Sequence, residues 1–197
     1  MDDPGTVASQ AAEHVPPEAD GDLEPELTSA GNDDGTVSIG VPEGWTDDLT
    51  GLDGPLFWDR TFEREVARVK RYRRPVTVAL VELGGLDHFA RRWGVDLAED
   101  ALRMCSRTLA GEIRSSDLLA RIETARFALL LTETGEIAAI NFIERARVAC
   151  EHALRASGND ITIGFGWANP PPGGTLADAA EQAVTRLEAE LGAGSSV

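Results

Sequence analysis

The stretch RIETARFALL, residues 121–130, predicts a β-hairpin. Mostly apolar runs at Leu118–Ile122 and Phe127–Leu131 flank a short polar interruption. Such runs, separated by a few turn residues, are typical of two antiparallel strands. Any chemistry at the tip of this hairpin depends on the four side chains of the interruption, which are Glu123, Thr124, Ala125 and Arg126.

Apolar patterns on both sides of the hairpin predict an α/β sandwich built around one sheet. Val76–Leu83 is an almost continuous apolar run rich in β-branched residues, which is typical of a strand buried on both faces. A helix precedes it, from Pro55 to the break at Pro75. The remaining predicted elements, in chain order, are a short helix, a break at Gly94, a longer helix, the hairpin, a helix over Ile137–Leu154, a strand over 160–168 and a helix over Leu176–Leu191. Strands separated by helices place one sheet between helical layers.

The acidic residues are concentrated near the N-terminus. No Lys or Arg precedes Arg60, whereas residues 1–48 contain thirteen of the 34 Asp and Glu residues. Few large apolar residues occur there, so the segment cannot bury enough surface to offset its ordering entropy. We therefore predict a disordered acidic tail over residues 1–46, one domain over residues 47–191 and a flexible C-terminus over residues 192–197. The tail is interpreted either as an electrostatic interaction arm or as a solvated leader.

Composition disfavours several classes of protein. The formal net charge of −16 argues against nucleic acid as a partner. The sequence has neither a secretory leader pattern nor a run of about 18 apolar residues, so we predict a cytoplasmic protein with no membrane partner. With two Cys, three His and no CxxC or HExxH spacing, a zinc cluster is not expected. The basic run Arg68–Arg74 suits either an anionic partner or the solvated end of a helix.

Four short motifs occur in the order that one known family shows. They are DDLTGL at residues 47–52, RSSD at 114–117, IERAR at 143–147 and TIGFGWA at 162–168. Together with the order of the elements, they resemble the GGDEF domain, the diguanylate cyclase fold related to the class III nucleotidyl cyclases. The resemblance covers roughly Asp47 to Glu190. It implies a nucleotidyl-cyclase-like α/β sandwich, with a central, mostly antiparallel sheet flanked by helices.

The resemblance places ETARF, residues 123–127, where the family has GGDEF. It implies that Glu123 and Thr124 replace the glycines that let the backbone approach a triphosphate. It also implies that Ala125 and Arg126 replace the two acids that hold Mg²⁺, and a positive side chain opposes a hard dication. We therefore expect no catalytic residue, no metal site and no cofactor.

Other positions agree with a lost active site. By the same resemblance, Glu82 stands at a metal-binding carboxylate position, but Gly84 replaces the neighbouring Asp. The guanine-reading positions fall on Ala90 and Glu99, and a phosphate-contacting Lys of the last helix falls on Glu188. The domain is therefore expected to be catalytically inactive. An active cyclase with an altered metal site is the weakest of three hypotheses.

RSSD resembles the inhibitory site of the family, RxxD, which binds cyclic di-GMP. Arg114 offers a planar fork to a guanine edge or a phosphate, and Asp117 offers an acceptor to guanine N–H groups. Arg145 or Arg147 stands where the family has a supporting arginine. The other interpretation is structural: Asp117 turns the chain into the next strand, and Arg114 is solvated at a helix end.

Two functions are consistent with these motifs. The first hypothesis is a cyclic di-GMP receptor that regulates signalling through Arg114, Asp117 and Arg145. The alternative is a nucleotide-independent interaction module, a pseudo-enzyme that binds a protein partner or forms a homodimer through its first helix and acidic tail.

Overall fold

The computed structural model describes residues 38–155 and 160–194. The helices and strands within these residues are α1 (Pro55–Tyr72), β1 (Val76–Gly84), α2 (Leu86–Trp93), α3 (Val95–Glu112), β2 (Leu118–Arg121), β3 (Arg126–Thr132), α4 (Glu136–Leu154), β4 (Thr162–Ala168) and α5 (Leu176–Gly194). The break predicted at Gly94 separates α2 from α3, and its φ of 99° is a left-handed value that favours glycine. None of these helices is both long enough and apolar enough to cross a membrane.

The four strands form one sheet in the order β2-β3-β1-β4, and all three pairings are antiparallel. The predicted hairpin is confirmed, with β2 and β3 as neighbours. At the end of β1, the register places Glu82 opposite Arg126 on one side and Gly84 opposite Thr162 on the other. Because directly opposite residues point to the same face of a sheet, the charges of Glu82 and Arg126 lie within reach of each other.

The central strand β1 is buried on both faces, as its apolar run predicts. Alternate side chains of a strand point to opposite faces, so Val81 and Leu83 contribute to one core with residues of α2, α3 and α4. Val78 and Leu80 contribute to a second core, which residues of α1 and α5 cover. Helices on both faces of an antiparallel sheet confirm the predicted sandwich.

The predicted ends of the domain are only partly within the described residues. Of the tail predicted over residues 1–46, residues 1–37 lie outside them. Ile39, however, is 3% exposed and belongs to the core beneath α2, α3 and α4, so the packed chain begins before Asp47. At the other end, α5 continues to Gly194, past the predicted limit at residue 191, and residues 195–197 lie outside the described part.

Gly166 of β4 sets the closest approach between the sheet and α5. A Cβ atom at this position would lie 2.0 Å from the Ala183 carbonyl oxygen and 2.6 Å from the Leu187 amide nitrogen. Both are backbone atoms of a long helix, which cannot move aside as the tip of a side chain can. Glycine is therefore required for α5 to pack against β4 at this position.

We expect Gly166→Ala to lower the free energy of unfolding by about 3 kcal/mol, because the added methyl group overpacks the interface between sheet and helix. Gly111→Ala in α3 is the matched control, since no atom lies within 4 Å of a Cβ built there. Alanine favours a helix over glycine by about 0.5–1 kcal/mol, so this control should be stabilised. Urea denaturation measures both changes, and a Gly166→Ala variant as stable as the wild type would contradict the close packing.

Candidate functional site

A tight turn joins β2 to β3. The Arg126 amide donates to the Glu123 carbonyl at 3.3 Å, and the Ile122 amide donates to the Arg126 carbonyl at 3.0 Å. The Ala125 carbonyl accepts from the Leu83 amide at 3.0 Å, which ties the turn to the end of β1. The turn therefore presents its side chains beside the last residues of the central strand.

The Arg126 guanidinium bridges two carboxylates at this turn. Its Nε donates to Oε2 of Glu82 at 2.7 Å, and a terminal nitrogen donates to Oε1 of Glu123 at 2.9 Å. The Arg126 and Glu82 side chains are only 20% and 22% exposed, so water screens this ion pair in part, whereas Glu123 is mostly exposed. The structure thus brings three of the predicted positions together, with the cation between the two carboxylates.

A cleft of about 490 Å³ opens beside this ion-pair cluster. It is lined by Glu82–His88, Arg91 and Glu123–Arg126. Two of its carboxylates, Glu82 and Glu123, are already bound to Arg126. Within residues 38–155 and 160–194, no group of three or more His, Cys, Asp or Glu side chains is arranged to hold a metal ion.

Gly84 lies at the end of β1 with no room for a side chain. A Cβ atom there would lie 2.5 Å from Oγ1 of Thr162 and 3.1 Å from Cδ2 of Leu191. The side chain of the neighbouring strand thus takes the space that a carboxylate on residue 84 would need. An acid at this position requires Thr162 and Leu191 to move.

The other positions expected to contact nucleotide serve different contacts. Ala90 is buried in the core. The Glu99 carboxylate accepts from Arg103, one turn further along α3, at 2.9 Å. Glu188 is exposed on α5. Packing and ion pairs within the helices therefore account for the first two positions.

Arg121, the last residue of β2, is a buried cation to which the sequence pattern assigned no role. Its side chain is 0% exposed and pairs with Oδ1 of Asp47 at 2.9 Å. A second terminal nitrogen donates to the carbonyls of Gly40 and Thr124, at 2.6 and 2.7 Å. Burial lowers the pKa of the Arg121 guanidinium from its ordinary value, whereas the Asp47 carboxylate raises it. One side chain therefore ties the N-terminal segment to the turn.

The RSSD segment forms a turn between α3 and β2. Oδ2 of Asp117 accepts from the Arg114 amide at 3.1 Å, and Oδ1 accepts from the Thr132 amide at 3.0 Å. The structural role considered for Asp117 is therefore present. The Arg114 side chain is exposed, and its guanidinium forms no ion pair with any residue that the structure describes.

Arg145 is the arginine of α4 that lies near this turn. Its Nε donates to Oε2 of Glu112, at the end of α3, and a terminal nitrogen donates to the Glu112 carbonyl at 3.2 Å. Arg147, the other candidate, instead pairs with Glu190 of α5. The structure thus brings the three predicted ligand-binding residues to one corner of the domain, here named the RSSD corner (residues 112–117 with Arg145).

Comparison with known families agrees with this architecture. A family model described as diguanylate cyclase, GGDEF domain, matches residues 44–196, which is most of the chain. The chain belongs to the GGDEF family. The resemblance drawn from the four motifs is therefore confirmed at the level of the family.

Individual GGDEF proteins are more distant. Diguanylate cyclase DosC of Escherichia coli K12 is 29% identical over 119 residues, which cover 59% of this chain and 26% of DosC. Response regulator PleD of Caulobacter vibrioides is 26% identical over 121 residues, which cover 61% of this chain and 25% of PleD. The chain thus spans about a quarter of the length of these relatives.

Among solved structures, the GGDEF domain of DgcB from Caulobacter crescentus, in complex with c-di-GMP, has the same fold. It matches with a TM-score of 0.67 at 22% identity, over 75% of this chain and 90% of that one. This GGDEF domain therefore keeps the hairpin, sheet and helices of its family, while its signature turn carries the ion-pair cluster around Arg126.

We expect Arg121→Ala to lower the free energy of unfolding by about 3–5 kcal/mol, because it leaves the Asp47 carboxylate buried without its partner. Arg74→Ala is the matched control, since Arg74 pairs with Glu133 at 2.6 Å but both side chains are more than half exposed. Losing that surface pair should cost less than about 1 kcal/mol. Urea denaturation separates the two effects, and equal losses in both variants would contradict the role given to Arg121.

Proposed function

We propose that this chain is a catalytically inactive GGDEF domain that binds cyclic di-GMP at the RSSD corner and thereby regulates a signalling partner. The observation that carries the proposal is a contrast between two arginines. Arg126 neutralises the acids of the signature turn, whereas Arg114 is exposed and forms no ion pair with a described residue. The cytoplasmic location predicted from the sequence is part of the same proposal.

Catalytic inactivity is supported by the charges around the turn. Cyclase chemistry needs oxygen ligands for a hard dication, and Mg²⁺ demands near-ideal octahedral geometry. Here a guanidinium lies within 2.7 and 2.9 Å of the two carboxylates that such an ion would use. At Gly84, the side chain of Thr162 leaves no room for a further acid. We therefore infer that neither a metal nor a catalytic residue acts at this turn.

Ligand binding is supported by the chemistry of the RSSD corner. The free guanidinium of Arg114 offers parallel N–H donors to a guanine edge or a phosphate. An ionised carboxylate has about four acceptor positions, and Asp117 uses its two oxygens for backbone amides while it remains part-exposed. Arg145 adds a second cation that is already oriented by Glu112. These groups suit a ligand that carries both guanine and phosphate.

The alternative of a nucleotide-independent module also has an observation in its favour. Both carboxylate oxygens of Asp117 accept backbone amides, so the turn alone gives a sufficient reason for an Asp at this position. In that case Arg114 is a solvated surface residue and the domain acts on a protein partner directly. The two proposals differ in whether Arg114 contacts a nucleotide.

Calorimetric titration of the purified protein with cyclic di-GMP tests this difference. We expect binding at tens of micromolar or tighter, and a loss of about tenfold or more in Arg114→Ala, because a hydrogen bond to a charged group contributes about 1.5–3 kcal/mol. Arg64→Ala is the matched control, since Arg64 is an exposed arginine on α1. Absence of heat, or equal affinities in Arg114→Ala and the wild type, would refute the receptor hypothesis.

We also expect no product from GTP in the presence of Mg²⁺ or Mn²⁺, and no change of the melting temperature with either ion. An ion that binds the folded state raises stability in proportion to the logarithm of its concentration over its dissociation constant. Without a metal site, thermal melts in 10 μM and, at constant ionic strength, in millimolar Mg²⁺ should superimpose. Formation of cyclic di-GMP, or a melting temperature that rises steadily with Mg²⁺, would overturn the inactive assignment.

A further inference from the structure

Helix α4 carries apolar side chains on both of its sides. Its inner side packs Phe142, Ile143 and Cys150 into the core. Its outer side exposes Ile137, Ile140 and Val148, with 79%, 42% and 65% of their surface accessible. Single exposed apolar residues are normal on a protein surface, but large aliphatic side chains grouped along one helix mark an interaction surface.

The middle of this outer side is polar. Asn141 and Glu144 are both exposed and lie between Ile137 and Val148. The four positions follow one another at intervals of four, three and four residues, so they share one face of the helix. This face, here named the α4 stripe, reads apolar, amide, carboxylate, apolar from its start to its end. At 1.5 Å per residue, its two apolar ends are about 16 Å apart.

The α4 stripe is complementary to itself in one orientation. When two copies of the helix run antiparallel about a two-fold axis between residues 142 and 143, Ile137 of each lies opposite Val148 of the other. In the same register, Asn141 lies opposite Glu144, so an amide N–H can donate to a carboxylate. Such a surface is what an isologous dimer requires, because the same patch serves both copies.

The parallel orientation has no such match. It would place Glu144 opposite Glu144, and juxtaposed like charges oppose association. It would also leave Asn141 facing Asn141 and no carboxylate facing a donor. The pattern of the stripe therefore selects the antiparallel pairing.

We propose that the α4 stripe is a docking surface for a second copy of this chain, which binds in antiparallel orientation. The surface lies outside the ion-pair cluster at the turn, and the pairing requires no nucleotide. One helix face is small beside the roughly 800 Å² per partner of a stable complex. The dimer is therefore weak, with a dissociation constant in the micromolar to millimolar range.

Disulfide cross-linking tests the orientation. The chain's own thiols, Cys105 and Cys150, are buried and should not react. We expect an oxidised mixture of Ile137→Cys and Val148→Cys proteins to form a heterodimer, because these positions face each other across the two-fold axis. Each variant alone should cross-link at least about tenfold less, since its two thiols lie about three helical turns apart. Equal cross-linking within one variant, or none in the mixture, would overturn the proposal.

Sedimentation velocity over a concentration series tests the surface itself. Val148→Glu places a carboxylate against Ile137 of the partner copy and should weaken association about tenfold or more. Leu56→Glu is the matched control: it adds the same charge at a half-exposed leucine of α1, which covers the opposite face of the sheet. A wild type that stays monomeric up to millimolar concentration would refute the dimer. So would equal weakening by both variants.

Discussion

The buried ion pair between Arg121 and Asp47 is the constraint on which the site depends. A charge without exposure to water is tolerated only when every donor has a partner. Arg121 satisfies this condition with Asp47 and with the carbonyls of Gly40 and Thr124. Three stretches that are distant in sequence, the N-terminal segment, the DDLTGL turn and the signature turn, therefore meet at one guanidinium. The DDLTGL motif has its physical meaning here, since Asp47 also accepts from the Thr50 amide and shapes its own turn.

A second arginine then decides what the signature turn can do. Arg126 stands opposite Glu82 in the sheet register and three residues after Glu123, so both carboxylates are within its reach. The turn is held from the inside by Arg121 and neutralised on the outside by Arg126. Its acids are engaged, and the accessible ligand chemistry of the domain lies at the RSSD corner instead. The retained fold and the altered turn are therefore compatible, because the sheet does not depend on the ligand that the family motif serves.

Much of this architecture follows from sequence patterns. Alternation and apolar runs predicted the hairpin, the central strand and the helices, because burial alone sets those periods. Arg121 was not predicted, since its partner lies 74 positions away and nothing local announces a buried pair. An arginine within an otherwise apolar strand was the available signal. The choice between Arg145 and Arg147 also needed the structure, because it depends on which side of α4 faces Glu112 and which faces Glu190.

The central claim is that this GGDEF domain binds cyclic di-GMP at the RSSD corner and not at its signature turn. Amide chemical-shift mapping by NMR during titration with cyclic di-GMP tests it most directly, because it reports both places in one experiment. The account predicts saturable shifts at residues 112–117 and at Arg145, while the amides of residues 82–88 and 123–126 stay in place. Shifts centred on the cleft beside Glu82 and Arg126, or no shifts at either place, would contradict it.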